Sequence, residues 1–258
     1  MSAAKQTGVL VVIPARYHSR RLPGKPLIDL AGKPLIQHVV ERARQATSPQ
    51  RVLVATDDER IARVVADFGG EAVLTRSEHR SGTERLAEVA ARISAAIYVN
   101  VQGDEPLIEP EAIDLAAGLL LAEPELGLAT LATPLRDPQQ LLEPSVVKVV
   151  MDFEGNALYF SRAPIPWVQN PEQSSRVRYF RHLGLYAYRR ETLLEYPTLP
   201  PGELEQIEQL EQLRWLENGY RMRVAITVSE AVGVDTPADL ERVRTLLATA
   251  AEKDPGSL

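Results

Sequence analysis

The 258-residue chain contains no cysteine, which excludes disulfide bonds, thiolate nucleophiles and cysteine-based zinc sites. It also lacks a basic surplus, because 29 Lys and Arg residues stand against 35 Asp and Glu residues, a formal net charge of −6. A general nucleic-acid binder usually carries more positive charge, since it must neutralise many phosphates. A few Lys and Arg residues gathered locally can still bind a small anionic substrate.

Long apolar runs are also missing. The apolar stretch near the N-terminus, residues 9–13, is shorter than the roughly 7–15 residues of a signal-peptide core. No run approaches the ~20 apolar residues that span a bilayer. We therefore expect a cytoplasmic protein with neither a membrane nor a nucleic acid as partner.

What is present is an alternation of strand and helix patterns in the first half of the chain. Short apolar runs predict buried strands at residues 8–14, 51–56, 71–74 and 96–101. Helices are predicted between them, at residues 35–47, from an Asp57 or Asp58 cap to Gly69, and at residues 84–93. This rhythm is typical of an α/β fold with three layers, α/β/α, and a mostly parallel, Rossmann-like sheet.

The second half departs from this rhythm and predicts a β-rich insertion. We expect a hairpin, a mobile polar loop and further strands and helices, at residues 146–152 with 157–160, 167–175, 182–188, 204–218, 223–228 and 237–251, followed by a frayed tail. We divide the chain into a first half, residues 1–135, and a second half, residues 136–258. The second half completes the same domain.

Ligands of open parallel sheets bind beyond the carboxyl ends of the strands. The segment after the first strand, residues 14–26, carries Arg16, Arg20, Arg21 and Lys25 among turn-forming residues. Fixed cations of this kind suit a triphosphate, although a solvated basic loop is the plain alternative. The segment is not a Walker A loop, and no G-x-G-x-x-G fingerprint occurs.

Three further segments follow predicted strands. Ser81 and Gly82 open a helix, where they either cap it or also bind the edge of a base. Asp104 follows the fourth strand and is placed to hold Mg²⁺ against phosphates, unless residues 102–106 are an ordinary polar turn. Asp235 follows the last strand and is either a second metal ligand or a helix cap.

At these segments the sequence resembles the 3-deoxy-manno-octulosonate (KDO) cytidylyltransferases, a family of sugar nucleotidyltransferases. The resemblance runs from about residue 11 to residue 244, and several motifs carry it in consistent order. They are IPARYHSRRLPGKPL at 13–27, SGTERLAEV at 81–89, VNVQGDEPLI at 99–108, ALYFSR at 157–162, RHLGLY at 181–186, LEQLRWLENG at 210–219 and GVDTPADLERV at 233–243.

The resemblance implies an enzyme that transfers CMP from CTP to KDO for lipopolysaccharide biosynthesis, as a homodimer with Mg²⁺ as cofactor. It implies catalytic roles for Arg16, Lys25 and Asp104, with Asp104 and Asp235 as metal ligands. The nucleotide would be bound by Arg16, Ser19, Lys25, Arg80, Ser81, Gly82 and Gln102. The sugar acid would be bound by Arg162, His182, Tyr186, Glu208 and Gln212. The resemblance thus makes residues 1–135 the nucleotide-binding half and residues 136–258 the sugar-binding and dimerisation half.

Several of these assignments have alternatives. Glu208 and Gln212 are i,i+4 on one predicted helix and can reach one ligand, or they form a solvated face. His182 is either a sugar ligand or a structural histidine. The aromatic residues that offer a dimer patch serve core packing equally well; they are Tyr159, Phe160, Trp167 and Phe180.

The sequence also departs from the family at a few positions. His18 and Arg20 stand where smaller residues are usual, and residues 229–232 have fewer Pro and Gly than expected before Asp235. Two rival functions stay open. One is transfer to another acidic sugar, such as an amino-substituted KDO or a sialic acid, and the other is a nucleotide-binding regulator. The sugar's anomeric hydroxyl is expected to attack the α-phosphorus of CTP in line, and pyrophosphate leaves. No histidine is placed by the sequence as an obligatory general base, so none is assigned.

Overall fold

A computed structural model of the chain describes residues 8–18, 22–170, 172, 177–229 and 232–253. The strands are β1 Val9–Ala15, β2 Asp29–Leu30, β3 Lys33–Pro34, β4 Pro49–Thr56, β5 Ala72–Leu74, β6 Ile97–Asn100, β7 Leu128–Pro134, β8 Lys148–Met151, β9 Ala157–Ser161, β10 Phe180–Arg189 and β11 Met222–Ile226. The helices are α1 Leu35–Ala43, α2 Glu59–Asp67, α3 Gly82–Arg92, α4 Pro110–Ala122, α5 Pro138–Leu142, α6 Arg190–Glu195, α7 Glu203–Glu208, α8 Gln212–Glu217 and α9 Pro237–Lys253.

Nine of the described strands form one sheet that draws on both halves of the chain. Its main order is β11-β7-β10-β6-β1-β4-β5, and β8 joins β10 and carries β9 on its other side. The pairs β1 with β4, β1 with β6, β4 with β5 and β7 with β11 are parallel. β10 is antiparallel to β6 and β7, so the sheet is mixed but mostly parallel. The predicted fold class is confirmed.

Helices cover both faces of the sheet because both faces are apolar. Successive side chains of a strand point to opposite faces, so β1 sends Val11 and Ile13 into one core and Leu10 and Val12 into the other. The first core is closed by α1, α2, α4 and α9, and the second by α3, α6 and α8. Burial on both sides explains the continuous apolar run that predicted this strand.

Most predicted elements of the first half are present with boundaries shifted by a few residues. α1 ends at Ala43 rather than at residue 47, and α3 begins at Gly82 rather than at residue 84. Asp58 is the cap of α2, since its carboxylate accepts a hydrogen bond from the Arg60 backbone N–H. The hairpin β8–β9 is confirmed. The loop predicted at residues 167–175 and the tail after residue 252 lie partly outside the described residues.

The sequence patterns missed several elements, and the largest of them are α4 and β7, which follow the fourth strand and complete its crossover. α4 is apolar around most of its circumference, with Ala, Leu and Ile on several sides, so its sequence lacks the one-sided pattern of a surface helix.

The single helix predicted for residues 204–218 is wrong. The chain forms α7 and α8 instead, separated at Gln209, which adopts the left-handed conformation with φ 53°. The break leaves backbone carbonyl oxygens without helical hydrogen bonds, and the Arg162 guanidinium donates hydrogen bonds to two of them. Its Nε donates to Glu208 O at 2.7 Å and its Nη2 donates to Gln209 O at 3.2 Å. A partner distant in sequence therefore compensates for the lost helical hydrogen bonds.

No helix of the described residues is both long enough and apolar enough to cross a bilayer. Among the aromatic residues considered for a dimer patch, Phe160 is fully buried in the second core, with Tyr159 and Phe180 packed beside it. Trp167 is 81% exposed and does not belong to that core.

Candidate active site

Two cavities lie beyond the carboxyl ends of β1 and β6 and meet at three shared residues. The first has a volume of about 390 Å³ and is lined by Arg16, His18 and Lys25. The second has a volume of about 460 Å³ and is lined by residues of β10 and of the α7–α8 region. Both are lined by Gln102, Asp104 and Asp235, which therefore stand at the junction.

The first cavity is lined by residues 14–16, 18, 25 and 26, and a hydrogen bond joins the two described parts of this region. Gly24 has φ 68°, a conformation that favours glycine, and its N–H donates to Tyr17 O at 2.9 Å. The Arg60 guanidinium lies 3.3 Å from the centre of the Tyr17 ring, which holds the same turn against α2. The 3₁₀ turn Lys25–Leu27 starts here and directs Lys25 into the cavity.

Lys25 joins the two aspartates at the junction. Its Nζ donates to Asp104 Oδ2 at 2.6 Å and to Asp235 Oδ1 at 3.1 Å. Burial opposes the charge of Lys25, but the two carboxylates outweigh burial and raise the pKa of the ammonium group. The aspartates are 131 residues apart in sequence, yet both contact one nitrogen atom, so the structure brings them together as predicted.

Asp235 is not the side chain that caps α9. The Thr236 hydroxyl accepts a hydrogen bond from the Asp239 N–H, and the Asp239 carboxylate accepts one from the Thr236 N–H. This reciprocal pair caps the helix. The Asp235 side chain is consequently directed at Lys25 rather than at the helix start.

The pair of carboxylates fits a magnesium ion that is shared with a substrate. No group of three or more His, Asp or Glu side chains that could hold a metal occurs among the described residues. Mg²⁺ does not need such a group, because it commonly takes one or two carboxylates, several waters and phosphate oxygens of a substrate. Asp104 and Asp235 are two carboxylates of this kind, so the residues present fit such an ion.

Arg16 lies in the first cavity with unused hydrogen-bonding capacity. Its Nη2 is buried and has no hydrogen-bond partner among the described residues. Burial and the nearby charge of Arg85 lower the pKa of Arg16, while Asp57, Glu211 and Glu84 act in the opposite direction. A buried guanidinium nitrogen without a partner is a strong donor for an anion that enters the cavity.

The residues at the start of α3 do not line either cavity. Ser81 is the N-cap of α3, because its Oγ accepts a hydrogen bond from the Glu84 N–H at 3.2 Å. Arg80 is exposed, and its N–H donates to the Glu84 carboxylate. Gly82 lies beside the first cavity, since a Cβ there would be 3.4 Å from Cγ of Pro14, which lines it. Ser19, also predicted to bind the nucleotide, lies outside the described residues.

The second cavity contains most of the residues predicted to bind the sugar. Gln102 reaches it by donating from Nε2 to Gly184 O at 2.7 Å. His182 is buried, with Nε2 2.9 Å from Thr130 Oγ1, and its ring lies between Phe160 and Tyr186. Burial, aided by the charge of Arg181, lowers the pKa of His182 to about 3. The imidazole is therefore neutral at physiological pH.

Glu208 does not line the second cavity, and it does not share a helix with Gln212. Its carboxylate accepts hydrogen bonds from Ser161 Oγ at 2.5 Å and from the Arg162 N–H at 2.9 Å. Burial would raise the pKa of Glu208, but these hydrogen bonds outweigh it and lower the pKa. Glu208 thus anchors the end of β9. Because Glu208 and Gln212 lie on different helices, they do not form the alternative solvated helix face either. Gln212, at the start of α8, is 5% exposed and lines the cavity.

Arg162 also has a structural use. Besides its two bonds to the α7 end, its Nη1 donates to Pro144 O at 2.9 Å, so the guanidinium lines the cavity while it holds three backbone carbonyls. Two charged residues of the lining were not predicted, Glu105 and Arg181. Glu105 is 8% exposed, and burial together with the charge of Asp104 raises its pKa to about 8, against the influence of Arg181. Its position directly after Asp104 was the only sequence signal available.

Comparison with known proteins places this geometry in a family. A family model described as cytidylyltransferase matches residues 10–226. The chain belongs to the cytidylyltransferase family. It is 52% identical to the 3-deoxy-manno-octulosonate cytidylyltransferase of Solibacter usitatus over 238 residues. The aligned region covers 92% of this chain and 94% of that protein. It is 51% identical to the enzyme of the same name from Geobacter sulfurreducens, over 91% of this chain and 97% of that protein.

Solved structures agree with this family membership. A CMP:2-keto-3-deoxy-manno-octonic acid synthetase in complex with CTP superposes with a TM-score of 0.91 at 48% identity, covering 95% of this chain and all of that one. A 4-diphosphocytidyl-2C-methyl-D-erythritol synthase from Anaerococcus prevotii has a TM-score of 0.63 at 11% identity and shares the fold alone. The predicted family is confirmed.

Proposed function

We propose that this cytidylyltransferase transfers CMP from CTP to 3-deoxy-D-manno-octulosonate and releases pyrophosphate. The observation that carries the proposal is the junction of the two cavities at Gln102, Asp104 and Asp235. A nucleotide in the first cavity and a sugar acid in the second would meet at these carboxylates. The names of the relatives at about half identity over nearly the whole chain support both substrates.

In the first cavity, Arg16 and Lys25 are the groups that would bind the triphosphate. The unpartnered Nη2 of Arg16 offers a charged donor, and Lys25 has already lost much of its water. Preorganised donors of this kind stabilise charge that develops on the departing pyrophosphate, because they need little reorganisation during the reaction.

Magnesium is the proposed cofactor, and Asp104 and Asp235 would hold it. The ion would supply positive charge that reduces the repulsion between an anionic sugar and a polyphosphate. The two carboxylates are then the protein's contribution to the orientation of both substrates at the junction.

In the second cavity, the sugar's anomeric hydroxyl would attack the α-phosphorus in line. The new P–O bond forms as the bond between the α-phosphorus and the pyrophosphate oxygen breaks, and the hydroxyl proton passes to water. His182 stays neutral at physiological pH, so it can bind a hydroxyl without adding charge, and we assign no general base. Gln212, Tyr186 and the arginines Arg162 and Arg181 complete a polar lining suited to a hydroxylated acid.

The test is a pyrophosphate-release assay with each of four nucleoside triphosphates against KDO, 8-amino-KDO and a sialic acid, with and without Mg²⁺. We expect release with CTP and KDO, and dependence on the metal. Release only with another acid would replace the sugar assignment. Nucleotide binding without release for any sugar would favour a regulator and overturn the proposal.

Two further parts of the proposal concern the setting of the enzyme. We infer a homodimer in the cytoplasm that supplies CMP-KDO to lipopolysaccharide biosynthesis. The exposed apolar residues Phe153, Leu158 and Trp167, in and beyond the β8–β9 hairpin, offer a surface for a second copy. Sedimentation of the full chain would test the oligomeric state, and a monomer at micromolar concentration would contradict it.

A further inference from the structure

The strand β10 departs from regular pairing where it forms a wall of the second cavity. Its register against β7 shifts between Leu183 and Tyr186, so Gly184 and Leu185 are two extra residues, as in a β-bulge. Bulges are frequent next to active sites, where they re-aim side chains and backbone groups. Thr130 is the β7 residue opposite Tyr186; it is fully buried and does not line the cavity. Any effect of Thr130 on a ligand must therefore pass through its neighbours.

The Thr130 hydroxyl is surrounded by three hydrogen-bonding groups. Its Oγ1 lies 2.8 Å from Leu185 O, 3.2 Å from Leu183 O and 2.9 Å from His182 Nε2. A hydroxyl has a single proton to donate, whereas a carbonyl oxygen can only accept. The two carbonyl oxygens therefore compete for the one Thr130 proton, and Leu185 O, at the shorter distance, is the better placed acceptor.

These contacts decide which nitrogen of His182 carries a proton. If Thr130 donated to Nε2, both carbonyl oxygens would face lone pairs of the hydroxyl oxygen with no proton between them. If Nε2–H donates to Oγ1 instead, the hydroxyl proton is free for the carbonyl oxygens, and the favourable arrangement is complete. The imidazole is neutral at physiological pH, so only one of its nitrogens is protonated. Nδ1 is then bare.

The bare nitrogen of His182 is available to a ligand. Nδ1 makes no hydrogen bond within the described part of the chain, and it is not fully enclosed by protein atoms. His182 lines the second cavity, and its ring is packed between Phe160 and Tyr186, whose ring centres lie 4.8 and 5.4 Å away. A bare ring nitrogen accepts a hydrogen bond from a hydroxyl group and repels the oxygens of a carboxylate.

We propose that Thr130 is a positioning residue that fixes His182 in the tautomer with its proton on Nε2, so that Nδ1 accepts a hydrogen bond from a hydroxyl group of the sugar acid. The inference rests on the proposed function for the identity of the ligand. It assigns His182 to the hydroxyl groups of the sugar rather than to its carboxylate, which is left to the arginines Arg162 and Arg181 of the same lining.

The tautomer can be measured by nitrogen NMR of the full chain labelled with ¹⁵N-histidine, because protonated and bare ring nitrogens have well-separated chemical shifts. The chain has four histidines, and the signals that disappear in His182→Gln are those of His182. His38 is an internal reference, because its Nε2 lies 2.6 Å from Leu30 O, an acceptor that requires a proton on that nitrogen. We expect a protonated Nε2 and a bare Nδ1 for His182 at neutral pH without substrate. A proton on Nδ1 overturns the proposal.

Two substitutions of Thr130 separate the tautomer from the fold. Thr130→Val leaves a buried Nε2–H without an acceptor, so the His182 proton should move to Nδ1, where water in the cavity accepts it. KM for KDO should then rise roughly three- to tenfold, as for the loss of one hydrogen bond, while KM for CTP stays within about twofold. Thr130→Ser keeps the hydroxyl and should keep both the tautomer and KM. If Thr130 only stabilises the bulge, Thr130→Val lowers the free energy of unfolding but changes neither, and the proposal is wrong.

Thr75→Val is the matched control. The buried Thr75 hydroxyl donates to Thr56 O at 3.1 Å and accepts from Arg85 Nη1, so it has the same pattern of contacts, but it lines neither cavity. This variant should lose stability yet keep the wild-type tautomer of His182 and the wild-type KM for KDO. A rise in KM equal to that of Thr130→Val would contradict the proposal, since the effect would not depend on His182.

The measurement on the wild type decides the proposal if Thr130→Val does not fold, as judged by circular dichroism, because it needs no change at Thr130. It also needs no substrate and no turnover, so the two possible failures are distinguishable. A wild type that never releases pyrophosphate would contradict the proposed function and leave the position of the His182 proton in place. A proton on Nδ1 in an active enzyme would do the reverse.

Discussion

A single methyl group at Gly103 should separate the halves of the active site. Gly103 stands between Gln102 and Asp104, and a Cβ built on it would lie 2.6 Å from the backbone oxygen of Pro14. A carbon and a carbonyl oxygen seldom approach closer than about 3.3 Å. In Gly103→Ala, the segment that carries Asp104 must therefore move away from β1 by at least about 0.7 Å.

This displacement acts on the contact that joins the two segments. Lys25 Nζ lies 2.6 Å from Asp104 Oδ2, and Lys25 belongs to the segment that follows β1. Misplacement by about 1 Å can cost on the order of 10²-fold in rate, so we expect kcat/KM to fall by about that factor. Because Pro14 O is backbone, it cannot rotate out of the way as a side chain could.

Pyrophosphate release under Mg²⁺ saturation, together with thermal unfolding, measures the effect. Gly118→Ala is the matched control, because Gly118 lies within α4 and has nothing within 4 Å of its Cβ position. That variant should keep full activity and gain about 0.5–1 kcal/mol of stability from its higher helix propensity. Wild-type kcat/KM in a folded Gly103→Ala variant would refute the reasoning.

Three further predictions follow from the same contacts. Asp104→Ala should lower kcat for pyrophosphate release at least ~10²-fold, because preorganised electrostatic stabilisation is lost. Near-normal turnover of this variant at saturating Mg²⁺ would exclude a catalytic role for Asp104. His182 has a folded pKa of about 3 and an unfolded pKa near 6.5, so the unfolded chain binds the extra proton and stability should fall as pH drops through that window. Urea unfolding at several pH values should find this slope flattened in His182→Gln. Glu208→Gln should lower the free energy of unfolding by about 1–3 kcal/mol, because the hydrogen bonds of the Glu208 carboxylate hold the end of β9. It should raise KM for the sugar less than Gln212→Ala does, because Gln212 lines the second cavity and Glu208 does not.

Local patterns in the sequence were sufficient for much of the fold. The apolar run at residues 8–14 predicted β1 almost to the residue, and polar side chains before helices marked the caps at Asp58 and Ser81. These signals work because strand burial and helix capping depend on neighbours within a few residues. The convergence of Asp104 and Asp235 followed from topology, since carboxyl ends of parallel strands share one edge.

Other features depended on partners that no local pattern reveals. The break at Gln209 is stabilised by Arg162, which lies 47 residues earlier and donates to the freed carbonyl, so residues with good helix propensity form two helices. In the same region the Glu208 carboxylate bonds the end of β9 and does not line the second cavity.

The sequence by itself determined the fold class, the family and the segments that reach the sheet edge, because these depend on periodicity, turns and ordered motifs. Only the tertiary structure decided which of those side chains line a cavity and which form hydrogen bonds that stabilise the fold. It also decided that Lys25 joins the two aspartates and that the charged side chain of Arg85 is buried. Burial and charge pairing are properties of long-range packing, and they are set by residues that meet only after the chain has folded.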